Sequence, residues 1–436
     1  MDAISKPTPP TTIAPATPAH HSRRAANMPI LLVLSSLFPS QCRPTAGLFI
    51  QERMFRVAAD FPLFVVSPVP WFPLQGLIRL WRPHYRPQPA SFEVQTAPDG
   101  SLVHVYFPRF FSLPGTGRCF DAWFMALAVS RWLKRHPELE WDLIDSHFSY
   151  PEGAAAGMLS KWFAKPNTIT LRGTEVPHSQ GFFTARWQRW AWRQADRLFA
   201  VSDSLRQLAI RQGTAAEKID VVGNGVDCTT FYRENKQQAR AALGLTDDDQ
   251  VLITVAGLVP RKGFHLVIEA MTQLPASVKY VIVGGASAEG DYQLMLEQQV
   301  ARLGLGSRVL FVGPKAKSQL RHYLSAADLF VLASANEGWA NVILEAMACG
   351  VPVLASDVGG NREVIANQQL GLIYPYGNQA LLVEGIKQGL AQYWQIDNLQ
   401  QYAKANSWQL RVEQLRRHFL ALDKTEPVGD ELGLTK

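Results

Sequence analysis

Two carboxylates, Glu337 and Glu345, stand with seven residues between them in the stretch from Ser334 to Gly350, and this is the most specific chemical pattern in the chain. An apolar strand is expected to end at Leu332, a loop to carry Glu337, and a helix to run from about Asn341 to Cys349 until Gly350 stops it. The amides of Trp339, Ala340, Asn341 and Val342 would open that helix and favour an anion. Glu345, one turn in, would face the same crevice beyond the strand ends. Acids so placed accept hydrogen bonds from sugar hydroxyls, at roughly 1.5–3 kcal/mol each for a charged acceptor. A capped helix with two solvated acids has the same residues, so the pair alone leaves both readings open.

The elements that must position this pair are short apolar runs alternating with helical patterns, which argues for parallel α/β units. In the first half the expected strands are Ile30–Leu34, Leu63–Val66, Val103–Phe107, Leu143–Ser146, Thr168–Leu171, Leu198–Val201 and Ile219–Val222. After the polar loop Thr246–Gln250 come Val251–Val255, Tyr280–Val283, Val309–Val312, Leu329–Leu332 and Val351–Ala355. Two such series imply an α/β chain of two Rossmann-like, doubly wound domains facing a cleft, with a hinge near Val222–Asp227. The expected division is a tail over 1–27, a first domain over 28–222, a second over 223–395, helices over 396–423 packing back on the first domain, and a tail over 424–436.

A length of 436 residues fits two domains, and a chain that is 47% hydrophobic and 18% charged is neither disordered nor collagenous. The net charge of +6 is unevenly placed: residues 1–220 hold 24 Lys and Arg against 16 Asp and Glu, the remainder 19 against 21. The two halves therefore face different partners. Cys42, Cys119, Cys228 and Cys349 are scattered without a C-x-x-C pair and read as reduced thiols in a cytosolic protein. The apolar run Pro29–Phe38 follows Arg23 and Arg24 like a secretory leader, but no small-residue cleavage pattern follows it, so it reads as the first buried strand.

Aromatic residues and arginines interleave twice. Pro68–Pro114 holds Trp71, Phe72, Trp81, Tyr85, Phe110 and Phe111 with Arg79, Arg82, Arg86 and Arg109, and Phe182–Arg197 holds Trp187, Trp190 and Trp192 with Arg186, Arg189 and Arg193. Rings at headgroup depth beside cations suit an anionic membrane surface. Plain core packing with a solvated arginine face explains the same composition, and stacking on nucleic acid is the weakest of the three readings.

Taken in order, the motifs resemble family 4 of the retaining glycosyltransferases, with the GT-B fold, from about residue 30 to 420. Phe38-Pro-Ser with Gly47-Leu-Phe looks like the family's first strand and glycine loop; Asp145-Ser-His147 with Pro151-Glu-Gly153 looks like its histidine motif. Val201-Ser202 and Val222-Gly-Asn224-Gly-Val-Asp227 resemble the hinge signature, and Leu258-Val-Pro-Arg261-Lys262-Gly263 the phosphate-binding loop. Val358-Gly-Gly360 with Glu363 resembles the segment after the second carboxylate. The resemblance implies that Lys262, helped by Arg261, neutralises the diphosphate of a nucleotide sugar, which the Gly47 backbone approaches closely. Glu345 would hold the ribose and Glu337, with Gly338 to Asn341, the donor sugar, while His147 would sit beside the anomeric carbon. Fixed cations and amides aimed at the leaving oxygen lower such a barrier, so no metal or other cofactor is implied. Asp247-Asp-Asp249 alone could offer a metal triplet, and it lies apart from the other motifs. From the residues alone, Lys262 is also readable as a turn lysine and His147 as a core histidine.

Two departures stand out. Where relatives carry Gly-Arg-Leu, this chain has Ala256-Gly257-Leu258, and where they often carry His-Gly-x-Asp it has Leu171-Arg172-Gly173-Thr-Glu175. Arg172 and Glu175 would alter the acceptor side, the arginine gripping a phosphate or carboxylate with two donors. The implied activity is transfer of a hexose from a nucleotide-diphosphate sugar to a saccharide or lipid-linked acceptor of the bacterial cell envelope or an exopolysaccharide, at the cytoplasmic face of the membrane and without nucleic acid. The missing phosphate arginine supports a second reading, a silent nucleotide- or glycan-binding subunit with the same fold. A third is a transferase with a soluble acceptor.

Overall fold

The computed structural model describes residues 28–81, 85–287 and 290–423. The two expected tails and Arg82 lie outside these residues. Sixteen strands are described: β1 (Leu31–Leu34), β2 (Leu63–Val66), β3 (Val69–Trp71), β4 (Phe92–Thr96), β5 (Leu102–Tyr106), β6 (Arg109–Phe111), β7 (Leu143–His147), β8 (Asn167–Leu171), β9 (Arg197–Ala200), β10 (Ile219–Val221), β11 (Gln250–Val255), β12 (Val278–Val283), β13 (Val309–Gly313), β14 (Leu329–Leu332), β15 (Val353–Ser356) and β16 (Gly371–Tyr374). They form one sheet ordered β10-β9-β8-β7-β1-β2-β5-β4, a second ordered β13-β12-β11-β14-β15-β16, and a short ribbon of β3 with β6.

All twelve expected strands are present with ends shifted by up to two residues. They read clearly because parallel strands covered by helices on both faces are nearly continuous apolar runs. In β1, Leu32 and Leu34 pack into one layer and Leu31 and Val33 into the other; in β11, Ile253 and Leu252 part in the same way. Four further strands were not expected. β4 runs antiparallel along the edge with two of its five residues exposed, β16 is a four-residue edge strand opening on glycine, and β3 and β6 bracket the proline-rich stretch.

Each sheet reverses its winding once, between β1 and β7 in the first and between β11 and β14 in the second. The chain passes from first to second domain through Val222–Asp227 and returns near Ser407. The two crossings pair with each other: Val226 N–H donates to the Asn406 carbonyl at 3.1 Å and Trp408 N–H to the Val226 carbonyl at 3.2 Å. Gly225 permits this, since a Cβ there would stand 2.5 Å from the Trp408 nitrogen.

One boundary differs from expectation. The helix Ile396–Ala405 does not pack back on the first domain; Leu399 and Ala403 are buried in the second-domain core. The crossing helix is Trp408–Leu422, whose Val412, Leu415 and Phe419 join the first-domain core beside the helix Leu48–Val57. The apolar face of 396–405 is already covered by the helix Asn341–Ala348.

Candidate active site

A cleft of about 610 Å³ lies where the two reversal points face one another. Leu37 after β1 and Phe148 after β7 form one wall; the loops after β11 and β14 form the other. Ligands of doubly wound sheets bind beyond the strand ends at such points.

The second-domain wall is built as the spacing suggested. Gly263 follows Lys262 with φ 72°, and a Cβ there would stand 1.9 Å from the Ala333 carbonyl oxygen. That close passage brings the loop after β11 against the loop after β14. Lys262 Nζ lies 2.5 Å from Glu337 Oε1, with both side chains mostly buried. Arg261, Gly338, Trp339, Ala340, Asn341, Val342 and Glu345 line the same cleft, as do Ala256 and Gly257 where relatives carry the arginine. Arg261 points its guanidinium toward the Asn336 carbonyl at 3.5 Å, on the rim. The helix Asn341–Ala348 begins at the cleft floor, and its first amides have no carbonyl a turn earlier to bond. Burial raises the Glu345 carboxyl to about 7, against the pull of Lys317 and with Glu52 adding to the rise.

The first-domain wall differs from expectation at four positions. His147 is fully buried at the end of β7 and does not reach the cleft. Its Nδ1 accepts from Arg172 Nε at 3.2 Å and Nη2 at 3.1 Å, while Nε2 lies 3.6 Å from the Asp145 carboxylate. Accepting at Nδ1 leaves the proton on Nε2. Burial, with Arg172 and Arg53 nearby, holds the imidazole well below its ordinary pKa and therefore neutral. Burial lifts Asp145 to about 6, opposed by Thr168 and the two guanidiniums.

Arg172 lines the cleft, but its two-donor edge is spent on His147, and Nη1 donates to Asn224 Oδ1 at 3.2 Å. Its guanidinium lies 5.1 Å from the Phe49 ring centre. It does not present a fork to an acceptor. Glu175 is wholly buried: its carboxylate accepts from the Ser149 amide and hydroxyl and from the amides of Arg172 and Gly173, at 2.7–3.1 Å. It braces the loop and touches no acceptor space. Gly47, at φ 70°, opens the helix Leu48–Val57, and a Cβ there would stand 2.2 Å from the Leu37 carbonyl oxygen. The glycine serves that contact, and Leu37 rather than Gly47 lines the cleft.

Of the residues that join the walls, Arg53, Glu52 and Lys317 were not singled out from sequence, while Asn224, Gly338 and Glu363 were read as motif positions without this role. Asn224 Nδ2 donates to Asn341 Oδ1 at 2.9 Å across the cleft, while its Oδ1 accepts from Arg172 and from Arg53. Buried Arg53 also grips the hinge carbonyls of Val222 at 2.7 Å and Gly223 at 3.3 Å. Lys317 pairs with Glu52 at 2.6 Å, and Glu363 accepts from the amides of Asp203 and Ser204 at the start of a first-domain helix. Gly338 meets the Arg172 carbonyl so closely that a Cβ would lie 2.3 Å from its oxygen. An asparagine between Gly223 and Gly225 was the available signal; Arg53 had none, being one arginine on an amphipathic helix.

Among the described residues no group of three His, Cys, Asp or Glu could hold a metal ion. Asp249 of the D-x-D triplet instead accepts from the Thr246 amide at 2.8 Å. Among the described residues no helix is long and apolar enough to cross a membrane.

Known proteins resemble this chain in sequence and in fold. A model described as glycosyl transferases group 1 matches residues 235–406, and one described as glycosyltransferase family 4 matches residues 75–230. The chain is 31% identical over 357 residues to a Bacillus subtilis protein named as a teichuronic acid biosynthesis glycosyltransferase, covering 80% of this chain and 87% of that one. It is 37% identical over 184 residues to a D-inositol 3-phosphate glycosyltransferase of Mycobacteroides abscessus, covering 42% of this chain and 41% of that one. Among solved structures, Anabaena HepE in complex with UDP superposes with a TM-score of 0.68 at 24% identity, over 90% of this chain and all of that chain. Sucrose-phosphate synthase from Thermosynechococcus elongatus superposes at 0.72 with 22% identity, over 91% and 99%.

Proposed function

The chain belongs to family 4 of the glycosyltransferases, and from that membership we propose that it transfers a hexose, with retention, from a nucleoside-diphosphate sugar to a lipid-linked or polysaccharide acceptor of the cell envelope, at the cytoplasmic face of the membrane. The observation that carries this reading is the Lys262–Glu337 pair set against the start of the Asn341–Ala348 helix, with Glu345 one turn inside. Nucleotide-sugar transfer needs cations at a diphosphate and carboxylates at hydroxyls, and this wall supplies both.

On arrival of the donor, its diphosphate takes Lys262 from Glu337, aided by Arg261 and the amides of Asn341 and Val342. Glu337, released, accepts hydrogen bonds from the donor sugar, and Glu345 accepts them from the ribose. As the bond to the diphosphate breaks, negative charge grows on the leaving oxygen, and cations fixed in place stabilise it without reorganising. His147 and Asp145 act behind the wall, and Arg172, at its edge, links His147 to Asn224 and holds the latter in position.

A lipid-linked acceptor is supported by the exposed apolar residues around the first domain. Leu74, Leu80, Trp81 and Phe182 are each more than 70% exposed. The tryptophans of the second aromatic stretch belong to the core instead, Trp192 fully and Trp187 and Trp190 partly. The Bacillus relative, named for an envelope polymer, supports the same acceptor class.

The test is consumption of UDP-hexoses by the purified full chain with membrane lipid extract, followed by analysis of the new linkage. Donor consumption with a retained anomeric configuration is expected. No consumption across nucleotide sugars, or an inverted linkage, overturns the proposal.

A further inference from the structure

A second concavity, of about 380 Å³, lies in the first domain between the β3–β6 ribbon and the helix Asp121–Arg135. Its floor is apolar, formed largely by Phe111, Phe124, Leu127 and Trp132, and three arginines, Arg109, Arg131 and Arg135, stand at its edge. All three are exposed, and none has a hydrogen-bond or ion-pair partner among the described residues. Arg131 and Arg135 are four residues apart on one helix, so their guanidiniums share a face. Like charges gathered over an apolar trough repel one another until an anion arrives.

The lining also says which anion. It contains no Asp, Glu, Asn, Gln, Ser, Thr or Tyr, so the only side-chain donors are the three arginines and the indole N–H groups of Trp71 and Trp132, and no side chain can accept a hydrogen bond from a sugar hydroxyl. A glycan chain would leave its hydroxyls unmatched there, whereas a molecule with an anionic head and a hydrocarbon body matches both parts of the groove. The groove is continuous with the exposed apolar rim. Phe111 and Phe124 meet at 5.1 Å between ring centres, Phe124 and Trp123 at 5.1 Å, and Trp123 is 46% exposed beside Phe120 at 59%. Arg86 donates to the Ser112 carbonyl at 2.6 Å, and Arg79 to the Arg86 carbonyl at 2.7 Å, which draws the exposed Leu77, Leu80 and Trp81 alongside. On the other flank Trp187 Nε1 donates to the Cys119 carbonyl at 2.9 Å and brings up exposed Phe182 and Phe183.

We propose that this groove seats the phosphate head and first chain carbons of an anionic membrane lipid, anchoring the first domain on the bilayer apart from the catalytic cleft. The proposal rests on the membrane-facing acceptor reading above, yet its test does not depend on glycosyl transfer. Full-length protein is sedimented with vesicles of phosphatidylcholine alone or with phosphatidylglycerol. Arg109→Gln/Arg131→Gln/Arg135→Gln is compared with a second-domain variant of equal charge loss, Arg302→Gln/Lys387→Gln/Lys404→Gln. Binding to the anionic vesicles should weaken about a hundredfold in the groove variant, at roughly fivefold per basic residue near an anionic surface. It should hold within about twofold in the second-domain variant, whose charges lie off the bilayer. Inorganic phosphate and an acidic oligosaccharide should not displace the vesicles. Equal loss in the two variants, no loss in the groove variant, or displacement by the oligosaccharide overturns the proposal. UDP binding is measured on the same proteins: its retention by the groove variant shows an intact fold, and its absence from the wild type would fall on the catalytic reading alone.

Discussion

The two walls of the cleft use charge in opposite ways. On the second-domain wall Lys262, Glu337 and Glu345 are mostly buried yet line the cleft, held by loops that glycine lets pass close together. On the first-domain wall Asp145, His147 and Glu175 are turned inward and bonded within that domain, so that the surface left to a substrate is largely apolar or backbone: Leu37, Phe49, Phe148, Pro177 and Val201 with Gly173, Thr174 and the edge of Arg172. Motif residues of one chain thus divide into those that meet a ligand and those that hold the wall. Residue type does not separate them, since both sets are acids and bases. Whether the side chain lines the cleft or is closed off behind it by bonds within the first domain does.

The sharpest way to break this contrast is to remove groups from each wall. Lys262→Ala and Glu337→Ala should each lower turnover by about 10²–10³, the loss typical of one fixed electrostatic contact to a transition state, with melting temperature unchanged within a few degrees. Glu175→Ala should do the reverse. It strips a buried carboxylate from the donors of Ser149, Arg172 and Gly173, and should destabilise by about 3 kcal/mol while sparing the turnover of the fraction that remains folded. Calorimetry and steady-state kinetics on the three proteins decide the matter. A thermally intact, inactive Glu175→Ala would place that acid at the substrate.

A smaller effect concerns pH. The Glu345 carboxyl, raised to about 7 by burial, holds its proton in the empty site below that pH and loses it above. The ribose hydroxyls donate to the ionised form, so nucleotide affinity should rise with pH, up to about tenfold per unit below the transition and level above it. Titration calorimetry with UDP at several pH values measures this, and Glu345→Gln should abolish the slope. Smallest should be Asn224→Ala, which removes the amide bridging Arg172, Arg53 and Asn341. About 1 kcal/mol of coupling between the walls is expected to go, read as a rise in KM for donor with kcat nearly kept. A fall in kcat with KM unchanged would make Asn224 part of the chemistry.

Much of the fold was legible because buried parallel strands announce themselves. β4 did not, since Phe92–Thr96 alternates polar and apolar residues behind Pro87 and Pro89, and β16 did not, since it is short and opens on glycine. The donor wall was legible because strand, loop and helix follow one another in a single stretch from Leu329 to Ala348. The first-domain wall is assembled from loops after four different strands, and whether His147 faces the cleft depends on the left-handed backbone of Phe148, at φ 75°, which no spacing reveals. The return helix was placed twelve residues early, because periodicity shows that 396–405 has an apolar face and not which domain covers it.

The paired crossings at Val226 and Trp408 bear on how the cleft opens. Pulling the domains apart, or sliding one past the other, would strain both hydrogen bonds of that ribbon together with the hinge carbonyls held by Arg53. Turning about the ribbon's own line strains neither. The two crossing segments therefore lie on the line about which a turn of the domains breaks the fewest of these bonds, and such a turn is the one that would part Gly338 from the Arg172 carbonyl.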